Sequence, residues 1–202
     1  MPARPLVLTF GALAVLAAAA CGNPFAVTAN TDVIFDTLAV YGLTEAPTNG
    51  PTALNTFGPQ LVTTSPTTHY DIVFDIRPDS TGNLQAYALP PKAVASFGNA
   101  GFVVDSTQAF EAIASAPNVP YNDSTIVPLK PGTILIVQAQ SSACAVQLVT
   151  SQQFIYSKIV IDSINYTPFD EFTNPAGNTI YFRIVVDPNC GFRSFKEGRP
   201  TF

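Results

Sequence analysis

Tryptophan is absent from this 202-residue chain, methionine and histidine occur once each, and charged residues make up only 11% of it. Each shortage excludes something. A lone histidine, His69, without a neighbouring cysteine or second histidine, offers no zinc-ligand spacing. Charge at 11% is well below the ~25% of an average soluble domain, so Thr, Ser, Asn and Gln do much of the surface work, as in exported β proteins. Basic residues number nine against fourteen acidic ones, for a net charge of −5. That balance makes nucleic acid and anionic lipid surfaces poor partners. No G-x-S-x-G elbow and no nucleotide-binding signature is present, and the acidic residues lack the spacing of an EF-hand loop. The sequence therefore assigns no catalytic residue, no metal site and no cofactor.

Long hydrophobic runs are also scarce, and the one that exists lies at the start. Residues 5–20 carry a single polar side chain, Thr9, and follow the positive charge of Arg4. The run is shorter than the ~20 residues of a comfortable membrane span. It reads as an export signal covering residues 1–20. Its end, Ala18-Ala19-Ala20-Cys21, resembles a bacterial lipobox, with Ala18 where leucine is commonest. The resemblance implies cleavage before Cys21, acylation of that cysteine and attachment to a lipid bilayer. Gly22 in place of Asp implies, by the same resemblance, the outer membrane of the cell envelope rather than the inner one. Ala18-Ala19-Ala20 also satisfies the Ala-x-Ala rule of ordinary signal peptidase, which would release a soluble product.

Cysteine arithmetic bears on that choice. There are three, Cys21, Cys144 and Cys190, and an odd number in an exported protein leaves one thiol to explain. Lipid on Cys21 leaves Cys144 and Cys190 as an even pair in an oxidising compartment. The count favours lipidation and predicts a Cys144–Cys190 disulfide.

The remaining residues suit one domain, with 21–31 as a lipid-anchored tether and 32–202 as the folded unit. Residues 33–43 are β-rich. The stretch that follows, to His69, is rich in Thr and Pro, with room only for a short edge strand in residues 53–62. Residues 70–77 alternate strictly, placing Tyr70, Ile72, Phe74 and Ile76 on a core face and Asp71, Asp75 and Arg77 on a face expected to meet water. Turn residues 78–83 then predict a hairpin to residues 84–89. A short helix is predicted at 107–115, capped by Asp105 or Ser106 and stopped by Pro117. Three strands follow at 132–140, 154–166 and 178–187, read as an antiparallel meander. In such a meander Cys144 and Cys190 each follow an upward strand and emerge at the same end. The expected architecture is mainly β: a single antiparallel β-sandwich of about seven strands, immunoglobulin-like in type, with one short helix.

Candidate functional residues are few. Phe169, Asp170, Glu171 and Phe172 stand together in the predicted hairpin loop 167–177. Carboxylates with exposed aromatics bind calcium, a sugar or a protein surface, and the competing reading folds both Phe rings back onto the sheet edge. Asp71 and Asp75, four residues apart on a strand, lie ~13 Å apart, too far for a glycosidase pair. They and Asp32 and Asp36 read as solvated surface carboxylates. The tail from Asp187 gathers Arg193, Lys196 and Arg199, either as a small docking patch or as a segment wrapping the sheet, pinned by Cys190. The functional expectation is a lipid-anchored, non-catalytic structural or accessory protein contacting another component of an envelope complex. The alternative is a module binding a sugar, lipid or calcium. A hydrolase, the remotest reading, requires His69 to share a pocket with a correctly placed partner.

Overall fold

The computed structural model describes residues 28–94, 98–146 and 153–201. The expected signal segment, Cys21 and the first part of the tether lie outside the described residues.

Among the described residues, ten strands form two antiparallel sheets that face one another. The first sheet contains β1 (Ile34–Tyr41), β6 (Ala100–Asp105), β8 (Ile134–Gln140), β9 (Phe154–Asn165) and β10 (Thr179–Asp187), in the order β1-β10-β9-β8-β6. The second contains β2 (Ala53–Asn55), β3 (Gln60–Val62), β4 (Ile72–Pro78), β5 (Leu84–Leu89) and β7 (Val127–Leu129), in the order β3-β2-β4-β5-β7. The protein is thus mainly β and sandwich-like, as its alternating segments predict. The last three long strands pair as the expected meander, β8 with β9 and β9 with β10. β6 and β7 go beyond the sequence-based expectation: β7 is three residues long and contains Pro128, which suits only a sheet edge.

Alternation sets the core. Ile72, Phe74 and Ile76 of β4 meet Ile159 and Ile161 of β9 and Phe182 and Ile184 of β10 in one buried cluster. Phe74 and Phe182 stack across the two sheets, with ring centroids 5.1 Å apart. An aromatic pair of this kind contributes about 0.5–1.5 kcal/mol beyond the area it buries. In β9, the register shifts so that Tyr181 faces Ser163 while Phe182 faces Ile161. This bulge leaves Asp162 over on the outer face, where it accepts from Arg183 at 3.0 Å.

The predicted helix at 107–115 is replaced by a single 3-10 turn, Phe110–Ala112. The reason is competition for backbone groups. Asp105 Oδ1 accepts from Thr107 N and Oγ1, closing a local turn rather than capping a helix. The carbonyls of Phe110 and Ile113 accept from Lys158 Nζ at 2.6 and 2.9 Å, and the Ala114 carbonyl accepts from Phe195 N. With those acceptors committed, the i to i−4 ladder has nothing to close on.

Cys144 and Cys190 are bonded at one end of the sandwich, their Cα atoms 5.4 Å apart. The same end holds the first described residues. Asn189 Oδ1 accepts from Asn30 N and Thr31 N, its Nδ2 donates to Thr31 O, and Ala29 N donates to Pro200 O. Residues 28–31, expected in the tether, are therefore fastened to the domain. The tail beyond Cys190 wraps the outer face of the first sheet, with Phe195 buried and Arg193 lying 4.8 Å over the Tyr156 ring.

Candidate functional site

The β9–β10 loop lies at the opposite end of the sandwich from Thr28, because β1 runs away from that end and its last residue, Tyr41, pairs with Thr179. The loop is cross-braced. Asn165 Nδ2 donates to Ala176 O, Asn174 Nδ2 donates to Pro168 O, and Asn178 N donates to Thr167 O. Asp170 and Asn174 exchange backbone hydrogen bonds in both directions. Gly177 is required here: a Cβ on it would lie 2.4 Å from the Pro168 carbonyl oxygen and from Asn174 Nδ2.

The four predicted loop residues take different roles. Phe169 folds back edge-on against Tyr41, centroids 5.6 Å apart, while the Tyr41 hydroxyl donates to Pro175 O. Asp170 Oδ1 accepts from Phe172 N and Thr173 N, and these backbone hydrogen bonds hold its carboxyl below the usual range. The carboxylate is spent on the turn. Glu171 is exposed, and Phe172 stands out of the fold, 90% exposed. The expectation that both rings fold back holds for Phe169 and fails for Phe172, whose backbone is directed outward by the Asp170 turn.

Asp71 and Asp75 require a correction. Both are 2% exposed rather than solvated. Asp71 Oδ2 accepts from Thr56 N and Oγ1 at 2.7 Å each, and Asp75 Oδ1 accepts from Thr44 N and Oγ1 at 2.8 Å each. Each carboxylate ties a neighbouring loop to β4, so the outer face of that strand is covered. Val73, an apolar residue between them on the same face, was the signal. Asp32 and Asp36 are exposed, as expected, and Asp32 lies 3.4 Å from Arg199.

His69 is not isolated. Its Nε2 lies 3.4 Å from Asp71 Oδ1, long for a hydrogen bond and better described as charge pairing. This contact with Asp71 outweighs desolvation and raises the His69 pKa above its ordinary value. The two line a cleft with Ser141 and Ser142 from the turn after β8. Ser141 Oγ accepts from Ala143 N at 3.3 Å.

No family model matches the chain, and no curated protein matches it. Function must be argued from the residues themselves. Among the described residues, no group of three or more His, Cys, Asp or Glu is placed to hold a metal ion.

One buried cation escaped sequence reasoning. Lys158, in the middle of β9, is 4% exposed, with its ammonium 4.5 Å over the Phe110 ring and 5.6 Å from that of Phe195. Desolvation holds its pKa below the ordinary 10.5. It lines the floor of a shallow groove of about 700 Å3 with the half-exposed ring of Phe35 at the edge. A lysine set within the mainly apolar run Phe154–Ile161 was the available signal. The groove's Arg183 is already engaged by Glu111 and Asp162. Lys158 thus binds the 110–113 segment to the sheet.

Proposed function

We propose that this chain is a lipid-anchored envelope protein with a non-catalytic accessory role, held to a bilayer through Cys21 and docking another envelope component through the β9–β10 loop. The observation that carries this reading is Phe172, 90% exposed on a braced turn at the far end of the domain from Thr28. Aromatic anchors on preorganised supports dominate interface energetics, and the Asp170 turn gives the Phe172 backbone such a support. The lipobox-like residues support the anchor. With residues 28–31 fastened to the domain, seven residue steps separate Cys21 from Thr28, at most about 25 Å of extended chain. An anchored domain would stay close to its membrane with the Phe172 end directed away.

The test places a photo-crosslinking residue at position 172 of the full chain in its own cells, with Val119 as an exposed control. A discrete adduct from position 172, absent from position 119, and its loss in a Phe172→Ala chain probed from neighbouring Glu171, is the expected result. Membrane fractionation of Cys21→Ser reads the anchor separately. No adduct at 172 in intact cells refutes the docking role.

A further inference from the structure

Among the described residues, β1 is the long strand whose outer edge is left open. It pairs with β10 on one side only and ends the first sheet. At the other end of that sheet, Phe102 of β6 and Asn122 exchange backbone hydrogen bonds, so that edge is covered. The edges of the second sheet belong to β3 and β7, each three residues long, and β7 contains Pro128. Short strands and proline are ordinary ways to blunt an edge.

Parity identifies the open groups on β1. Val33 N donates to Gly198 O and Tyr41 N donates to Pro51 O, whereas Gly42 N donates to Asn178 O, beside the start of β10. The backbone groups of odd-numbered residues therefore point away from β10. The tail closes the edge at residue 33, and Pro51 closes it at residue 41. Between them, Phe35, Thr37 and Ala39 turn their backbone groups outward, and Phe35 N and Ala39 N have no partner there among the described residues.

Asp36 obstructs this window in two ways. Its Oδ1 accepts from Thr37 N at 2.7 Å and so occupies the central donor. Its place in the alternation matters equally. Ile34, Leu38 and Val40 pack on the core, so even-numbered residues face inward, yet Asp36 is exposed because nothing lies beside the edge. An inward-pointing charge on an edge strand opposes pairing.

An antiparallel strand that used all three open residues would be centred on Thr37. For a second copy of β1, that register sets Thr37 against Thr37, Phe35 against Ala39 and Asp36 against Leu38. The Phe35 ring, 54% exposed, would then lie over a small side chain. The Asp36–Leu38 pair is the misfit. It would place both carboxylates beside apolar groups and take from each its hydrogen bond to Thr37 N.

We propose that Phe35–Ala39 is a self-complementary pairing edge that Asp36 holds shut, so that the domain stays monomeric. The proposal involves neither Phe172 nor the anchor at Cys21. Asp36→Val would complete the apolar stripe of Ile34, Leu38 and Val40 and remove the cap on Thr37 N.

The experiment is sedimentation equilibrium on the mature chain carrying Cys21→Ser, so that neither an acyl chain nor a free thiol joins copies. Asp36→Val is compared with this parent and with a chain carrying both Asp36→Val and Thr37→Pro. Thr37→Pro removes an outward N–H and leaves the β10 ladder intact. Melting curves check that each chain is folded, and amide exchange at residues 35, 37 and 39 maps the contact independently of the proline variant. The expected parent is a monomer. Asp36→Val should associate into a dimer at least about tenfold more strongly, since two-fold symmetry removes each misfit twice, with those three amides slowed and the effect abolished by Thr37→Pro. A variant that associates no more than the parent overturns the proposal, as does a parent already dimeric. Assembly beyond a dimer, or association that leaves the three amides unprotected, also overturns it, because one edge per copy closes a single pair.

Discussion

Replacing Lys158 with methionine isolates what its ammonium does, because methionine keeps most of the apolar stem and removes only the charge and the donors. In the folded chain that ammonium donates to the carbonyls of Phe110 and Ile113 and lies over the Phe110 ring. Two charged hydrogen bonds contribute about 1.5–3 kcal/mol each, or roughly 3–6 kcal/mol together. Relief of the buried cation's desolvation offsets a few kcal/mol of that loss. The expected net cost of Lys158→Met is about 2–3 kcal/mol, a fall in Tm of roughly 4–12 °C for a domain of this size. Urea unfolding of the mature chain measures it, and hydrogen exchange should show the loss concentrated at residues 110–116. The pH dependence supplies a second check. Burial lowers the Lys158 pKa below 10.5, so the folded chain holds this proton less tightly than the unfolded chain does. The lysine's contribution is smallest below that lowered value and rises as pH climbs toward 10.5, a rise that Lys158→Met removes. A variant within about 0.5 kcal/mol of the parent, the range of ordinary surface substitutions, would refute the idea that this lysine pins the segment.

Three further outcomes are expected. Removing the disulfide with Cys144→Ala and Cys190→Ala, which opens a loop with a sequence separation of 46, should cost roughly 3–4 kcal/mol in denaturant unfolding; an unchanged midpoint would contradict it. His69 has a raised pKa, so its pairing with Asp71 contributes fully below pH 6.5 and is lost as pH rises through the raised value. A pH series of melting curves should show that loss in the parent and not in His69→Gln. Gly177→Ala forces a Cβ against the Pro168 carbonyl and should cost about 1–3 kcal/mol, with increased exchange at residues 168–176; a neutral result would show that the loop is looser than its hydrogen bonds imply.

The sequence determined the class of fold and the long strands by itself, because residues 70–77 alternate with period two and residues 154–166 and 178–187 are rich in β-branched and aromatic side chains bounded by turn residues. It also pointed to the cysteine pairing: a lipobox reading of Cys21 would leave Cys144 and Cys190 as the even pair, and the meander brings that pair to one end, where the two are bonded. Within the loop at 167–177 it located the candidate residues but not their roles: only the Asp170 turn decides that Phe169 is covered and Phe172 is not. Tertiary structure alone decided the fate of the polar residues on nominally outward faces. Asp71, Asp75 and Lys158 alternate as surface groups should, yet loops and tail segments from elsewhere in the chain close over them and spend their hydrogen bonds on distant backbone. Periodicity reports which face of a strand a residue occupies. Whether that face meets water depends on what packs against it, and a segment such as 110–113 gives up its own helix to do so.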